Sequence, residues 1–260
     1  MGRALISGLL RSGTRPEDIQ VGESVPAARE LLARELGISA SADNETAVQG
    51  AHVVLLAVKP QDAAAVLGPL AKALSATRPL LISVCAGTRV RDLEAWSGGL
   101  AVVRAMPNRP ALVGAGISGL YAPRLVPAGP RALAETILKS VGEVVWVPTE
   151  DALDVVTALS ASGPAYFFLL AECMAEAGAQ LGLEHAVAQR LATATLHGSG
   201  LLAHAPGADL TRLRAEVTSR GGTTDAAVRT LESGGLRGLI SRALAAAAAR
   251  GRELSAPPKS

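Results

Sequence analysis

The sequence changes character at Pro148. Before it, short apolar runs rich in β-branched residues alternate with stretches whose apolar residues recur at helical spacing, the pattern of a parallel sheet covered by helices. Strands are expected at residues 19–23, 52–58, 80–85 and 101–105, with weaker ones at 116–121 and 143–147. The run Val53-Val54-Leu55-Leu56-Ala57-Val58 is almost wholly apolar, which fits a central strand buried on both faces. Helices are expected at 27–36 behind Pro26, at 61–73 behind Lys59-Pro60, and at 129–140.

After Pro148 alanine and leucine dominate long helical stretches, at 151–159, 164–182, 184–203, 209–217, 223–233 and 236–254, with Gly or Pro between most of them. The expected division is an α/β domain over residues 1–149, an all-α domain over 150–255 and a frayed tail over 256–260. The stretch Ala165-Tyr166-Phe167-Phe168-Leu169-Leu170-Ala171 leaves little polar face. It is expected to be buried in the helical domain or against a second copy, so a homo-oligomer is anticipated.

A hydrophobic fraction of 49% is ample for a real core. The charge of +2, spread without a Lys/Arg block, and only two each of Trp, Tyr and Phe leave neither a phosphate-backbone track nor a base-stacking platform, so nucleic acid is a poor partner. Cys85 and Cys173 sit far apart in apolar stretches and read as buried, reduced thiols, which fits a cytoplasmic protein. His52, His185, His197 and His204 lack cysteine or carboxylate neighbours at ligand spacing, so no metal is implied. The N-terminus opens amphipathically with Arg3 and Arg11, and no uninterrupted apolar run approaches the ~20 residues that span a bilayer, so neither export nor membrane insertion is expected.

Two sets of residues carry chemistry. In Glu216-Val217-Thr218-Ser219-Arg220-Gly221-Gly222-Thr223-Thr224-Asp225, two glycines and several hydroxyls stand where a helix begins. Backbone N–H groups there lack intrahelical partners and the helix dipole favours negative charge, so a small carboxylate or a phosphate would fit; taken alone, the loop reads more readily as an ordinary Ser/Thr helix cap with a flexible lead-in. The second set lies at three successive strand ends, where doubly wound sheets bind nucleotides: Ala57-Val58-Lys59-Pro60, Val84-Cys85-Ala86-Gly87 and Arg104-Ala105-Met106-Pro107-Asn108. Singly, Lys59 reads as a solvated turn residue, Gly87 as a turn glycine and Asn108 as a local cap. Together they point to a cofactor cleft.

These blocks resemble the pyrroline-5-carboxylate reductases, the enzymes that complete proline synthesis. The resemblance runs nearly end to end, through Ala57 to Pro60, Arg104 to Asn108 with Pro110-Ala111, Ser160-Ala161-Ser162-Gly163-Pro164-Ala165-Tyr166, and Val217-Thr218-Ser219 with Gly221-Gly222-Thr223-Thr224. It implies a Rossmann-type domain with a parallel sheet, followed by an all-α dimerisation domain, and an NAD(P)H-dependent reduction of 1-pyrroline-5-carboxylate to L-proline. It further implies that Ser219, Gly221, Gly222 and Thr223 seat the substrate carboxylate, and that Thr224 is the catalytic hydroxyl, hydrogen-bonded to the ring nitrogen. On the cofactor side it implies Met1, Gly2, Ala57, Val58, Lys59, Pro60, Ala86, Gly87 and Asn108. No residue is assigned as a general acid. Ser24 and Arg29 suit the 2′-phosphate of NADPH, whereas Glu23 suits the free ribose hydroxyls of NADH; NADPH is expected and NADH stays open.

Two features depart from the family pattern. Arg220 stands where the family usually has proline, which adds a cation beside the anion seat. Met1-Gly2-Arg3-Ala4 matches only the end of the family's glycine-rich turn, so the first strand and the earlier glycines are expected to be missing from this chain. Such a chain reads either as a reductase whose start lies further upstream or as a truncated, catalytically weak paralogue serving as an oligomerisation or interaction module.

Overall fold

The computed structural model describes residues 1–255; the expected tail, 256–260, lies outside the described residues. The chain divides into two compact units, one comprising Met1–Ser162 with the chain from Ala247 onward, the other Gly163–Ala246.

The first unit is built on a five-stranded sheet in the order β3 (Val53–Leu56), β4 (Leu80–Ser83), β5 (Val102–Pro107), β6 (Gly116–Tyr121) and β7 (Gly142–Trp146). Side chains alternate across it, as the period of two requires. Leu81 and Val102 pack on one face with Leu67, Leu74 and Leu93, while Leu80, Ile82 and Val103 pack on the other with Leu5, Leu120 and Leu138. Helices α1 (Gly2–Arg11) and α6 (Ala128–Lys139) supply the second face; α4 (Ala63–Thr77) and α5 (Val90–Ser97) supply the first.

Three features differ from the sequence expectation. The sheet is not wholly parallel, because β6 runs antiparallel to β5, with Arg104 opposite Tyr121. The link between them, a single 3-10 turn at Arg109–Val113, is too short for a parallel crossover, which takes about a dozen residues or more. The strand expected at 19–23 contracts to β1 (Val21–Gly22), which pairs with β2 (Ala40–Ser41) in a separate two-stranded parallel sheet. Between these strands lie α2 (Pro26–Leu36) and, after β2, the short α3 (Asn44–Val48).

The third difference concerns β3, expected to be central. It pairs only with β4, and Val53, Val54 and Leu55 are half-buried. Among the described residues no strand precedes α1, and the free edge of β3 opens on an apolar trench of about 540 Å³ lined by Leu5, Ile6, Val21, Leu31, Val54 and Val66 among others. A strand with one neighbour has a free edge through which its side chains stay partly open, and among the described residues β3 pairs with β4 alone.

Beyond β7 come α7 (Ala152–Val156) and a π-helical turn at Thr157–Ala161, and after a bend at Ser162 the second unit opens with α8 (Gly163–Gln180). The helical stretch Ala152–Gln180 has 29 residues and meets the length and composition of a membrane span, with 22% of its most apolar window buried. In the second unit α8 packs along α9 (His185–His204), followed by α10 (Leu210–Glu216), α11 (Thr223–Ser233) and α12 (Leu236–Ser255), whose last turns belong to the first unit. Within the single chain the apolar stretch of α8 is not buried: Phe167, Phe168, Leu169 and Leu170 are each more than half exposed. Cys173 on the same helix is exposed too, against the expectation of two buried thiols, while Cys85 at the end of β4 is buried.

Candidate active site

On the sheet side, the start of α1 lies beside the ends of β3 and β4. Met1 is the N-terminal cap of α1 and supplies no side-chain hydrogen bond, so the first-turn amides stay open to a ligand. A Cβ built on Gly2 would stand 3.5 Å from the Cβ of Ala57, which places that helix end beside the end of β3. Cys85 joins the next loop to it, its thiol donating to the Val58 carbonyl at 3.3 Å. Burial pushes the Cys85 thiol up from its ordinary value, with the Ser83 hydroxyl opposing, so it stays protonated. Gly87 follows with φ +77°, a left-handed conformation that glycine adopts without strain.

The remaining sheet-side candidates are more committed. Asn108 is buried and its Oδ1 accepts the Ile117 amide at 3.0 Å, pinning the turn after β5 to β6 and leaving only its NH₂ to a ligand. Lys59 is exposed ahead of the 3-10 turn Pro60–Asp62. Arg29 on α2 donates through Nη1 to the carbonyls of Glu23 and Ser24, at 2.8 and 2.9 Å, so it shapes the loop after β1 as well as charging it. The Glu23 carboxylate accepts the Val25 amide at 2.8 Å. Acid and base thus face the same short loop.

In the helical unit, the loop before α11 is not an ordinary Ser/Thr cap. Its capping residue is Gly222, which has no side chain to offer, and the Thr218 hydroxyl donates instead to the Arg214 carbonyl at 2.6 Å. The loop closes on itself in two ways: the Gly222 amide donates to the Ser219 carbonyl at 3.0 Å, and the Gly221 amide donates to Asp225 Oδ2 at 2.8 Å. Gly221 takes φ +77° to do this. The amides of Gly221 and Gly222, expected at the anion seat, are therefore spent within the loop, whereas those of Thr223 and Thr224 lie in the first turn, where no intrahelical acceptor exists.

Asp225 was not among the sequence candidates. The Gly221 amide holds its carboxyl below the usual carboxylate range, reinforced by the Arg229 guanidinium one turn on, whose Nη2 lies 2.9 Å from Oδ2. The signal was present as an acid three residues into the helix with an arginine four residues later. Among the described residues no group of three or more His, Cys, Asp or Glu could hold a metal.

Comparison with known proteins decides the family. Residues 150–254 match the family model described as pyrroline-5-carboxylate reductase dimerisation, and residues 1–87 match NADP oxidoreductase, coenzyme F420-dependent. The chain is 41% identical over 256 residues to the pyrroline-5-carboxylate reductase of Pseudomonas aeruginosa, covering 98% of this chain and 93% of that protein. The chain belongs to the pyrroline-5-carboxylate reductase family. A solved reductase of this family from Coxiella burnetii superposes with a TM-score of 0.93 at 40% identity, covering 98% of this chain and 95% of that one. The pyrroline carboxylate reductase of Plasmodium falciparum, solved with NADP bound, gives 0.84 at 26% identity over the same shares. With both halves matched, the reading of the chain as a bare oligomerisation module is not favoured.

Proposed function

We propose that the chain reduces 1-pyrroline-5-carboxylate to L-proline with NAD(P)H. NAD(P)H supplies the hydride, which adds to the imine carbon; when the substrate arrives as the iminium, the ring nitrogen already carries its proton and no side-chain acid is needed. The protein's part is positioning. The open first-turn amides at Thr223 and Thr224 receive the substrate carboxylate, and the positive end of the α11 dipole stabilises it. The half-buried Thr224 hydroxyl holds the ring nitrogen in register. The observation that carries this reading is the Gly222-capped, Asp225-closed loop, which leaves a glycine-backed patch of main-chain donors with no side-chain cap.

On the sheet side, Met1 and Gly2, with Ala57 to Pro60, Ala86, Gly87 and Asn108, hold the dinucleotide. The set fits such a ligand: an uncapped helix start beside a strand end, and a left-handed glycine on the next loop. NADPH is the preferred cofactor in this reading, through Ser24 and Arg29, with Glu23 the opposing group. The partner is a second copy of the chain, which would cover the exposed apolar face of α8. A cytoplasmic location suits the dinucleotide supply and the two free thiols.

Thr224→Ala tests the site. The expected result is a fall in turnover of about a hundredfold with NADPH affinity within about twofold, because a hydrogen-bond partner of the reacting ring nitrogen is removed and the nucleotide is untouched. Equal loss of both would refute the assigned role.

A further inference from the structure

The loop joining β4 to α5 carries Ala86 and Gly87, and residues distant in sequence clamp it. Helix α5 has Arg89 as its cap residue and no local side-chain cap; its first amide, Val90 N–H, donates instead to Glu150 Oε1 at 2.7 Å. The same Glu150 oxygen accepts Arg104 Nη1 at 2.8 Å, and Arg104, on β5, has a side chain only 5% exposed. Arg89 itself reaches Asp151 at 2.6 Å and Asp154 at 3.4 Å, the latter side chain again only 5% exposed. From the other side the end of α12 closes in: a Cβ on Gly87 would stand 3.3 Å from both the Leu254 carbonyl oxygen and the Ser255 hydroxyl.

We propose that Glu150 and Arg89 are positioning residues for the dinucleotide, fixing the Ala86-Gly87 backbone in the conformation that receives it. The inference rests on the reading of that loop as part of the cofactor site. Three carboxylates at the root of α7 serve the loop in distinct ways: Glu150 replaces the missing helix cap and neutralises a buried guanidinium, and Asp151 and Asp154 anchor the residue before the helix. Neither Glu150 nor Arg89 needs to touch the ligand. A loop so held enters binding already ordered, and releasing it adds the cost of ordering to every binding event.

The test compares Arg89→Ala, Arg89→Lys, Glu150→Gln and Gly87→Ala in the full chain, by hydrogen exchange of the amides at 86–90 without nucleotide and by NADPH fluorescence titration. Arg89→Ala is expected to speed exchange at these amides and to weaken NADPH about tenfold, and Glu150→Gln, which keeps an acceptor for Val90 but removes the charge facing Arg104, to do so about threefold, with kcat and the imine KM within about twofold in both; Arg89→Lys restores most of the affinity. Unchanged exchange and affinity in both variants would overturn the proposal, as would a loss confined to kcat. If Gly87→Ala weakens NADPH while those variants do not, positioning fails and the cofactor reading stands. If Gly87→Ala folds and binds NADPH normally, the cofactor reading of the loop itself fails. Should Glu150→Gln not fold, Arg89→Ala carries the test, read against Arg89→Lys, which keeps a cation beside the buried Asp154.

Discussion

The amide of Gly221 donates to the carboxylate of Asp225 at 2.8 Å, so the first turn of α11 reaches back to close the loop that precedes it. The charge of Asp225 is balanced by Arg229, which keeps a carboxylate tolerable beside the seat proposed for another.

Removing that closure should loosen the seat more than it relieves repulsion. Asp225→Ala is expected to raise the imine KM about tenfold, an effect of the size of losing a helix cap, whereas Asp225→Asn, which keeps an acceptor for Gly221, should cost about threefold or less. Steady-state kinetics at saturating NADPH decides between them. The pH dependence follows from the lowered carboxyl of Asp225: its contribution is complete above the unfolded value of about 3.9 and is lost as pH falls through the lower folded value. Thermal unfolding of Asp225→Asn should therefore show a shallower acid limb than the parent below about pH 4, and no difference in slope near neutrality.

In the proposed cofactor site, the choice between NADPH and NADH rests on the loop after β1. Glu23→Gln keeps an acceptor for the Val25 amide and removes only the charge. It should raise the preference for NADPH over NADH about tenfold, and Arg29→Ala should lower it by a similar factor. Ratios of kcat/KM with the two nucleotides measure this. A ratio unmoved by either change would place these groups away from the ribose.

Much of the sheet was legible because β4 and β5 are buried on both faces and so read as largely apolar runs, interrupted in β5 by Arg104. What local pattern misses is pairing. The direction of β6 is set by the short link from Pro107 to Gly116, and the edge position of β3 by the lack of a second neighbour. Helix α5 escaped because it is short and half of its residues are polar, with full burial confined to Val90, Leu93 and Ser97. In the site, the glycines and hydroxyls of the α11 loop stood out by type, but which amides remain open depends on Asp225 and Ser219 closing the turn. The cap that Glu150 provides to Val90 bridges parts of the chain remote in sequence and leaves no local signature.

Gly142 starts β7 with φ +145°, and a Cβ there would fall 1.9 Å from the backbone oxygen of Gly116. Backbone, unlike a flexible side chain, cannot step aside. Gly142→Ala is expected to lower stability by about 2–4 kcal/mol through strain and overlap together, read as a shift of the urea midpoint. A midpoint within error of the parent would contradict the β6 to β7 register.

The open apolar face of α8 predicts self-association. Phe168 is 59% exposed in the single chain, and burying such a side chain contributes about 2 kcal/mol. Phe168→Asp should weaken the dimer at least about thirtyfold in Kd and shift sedimentation toward the monomer. An unchanged sedimentation profile would assign that face to another role.

The most direct measurement pairs NAD(P)H oxidation with product analysis, using the purified chain and 1-pyrroline-5-carboxylate. The account predicts that each equivalent of NAD(P)H oxidised yields one of L-proline, with the rate collapsing in Thr224→Ala. A folded chain that binds NADPH yet forms no proline would contradict it.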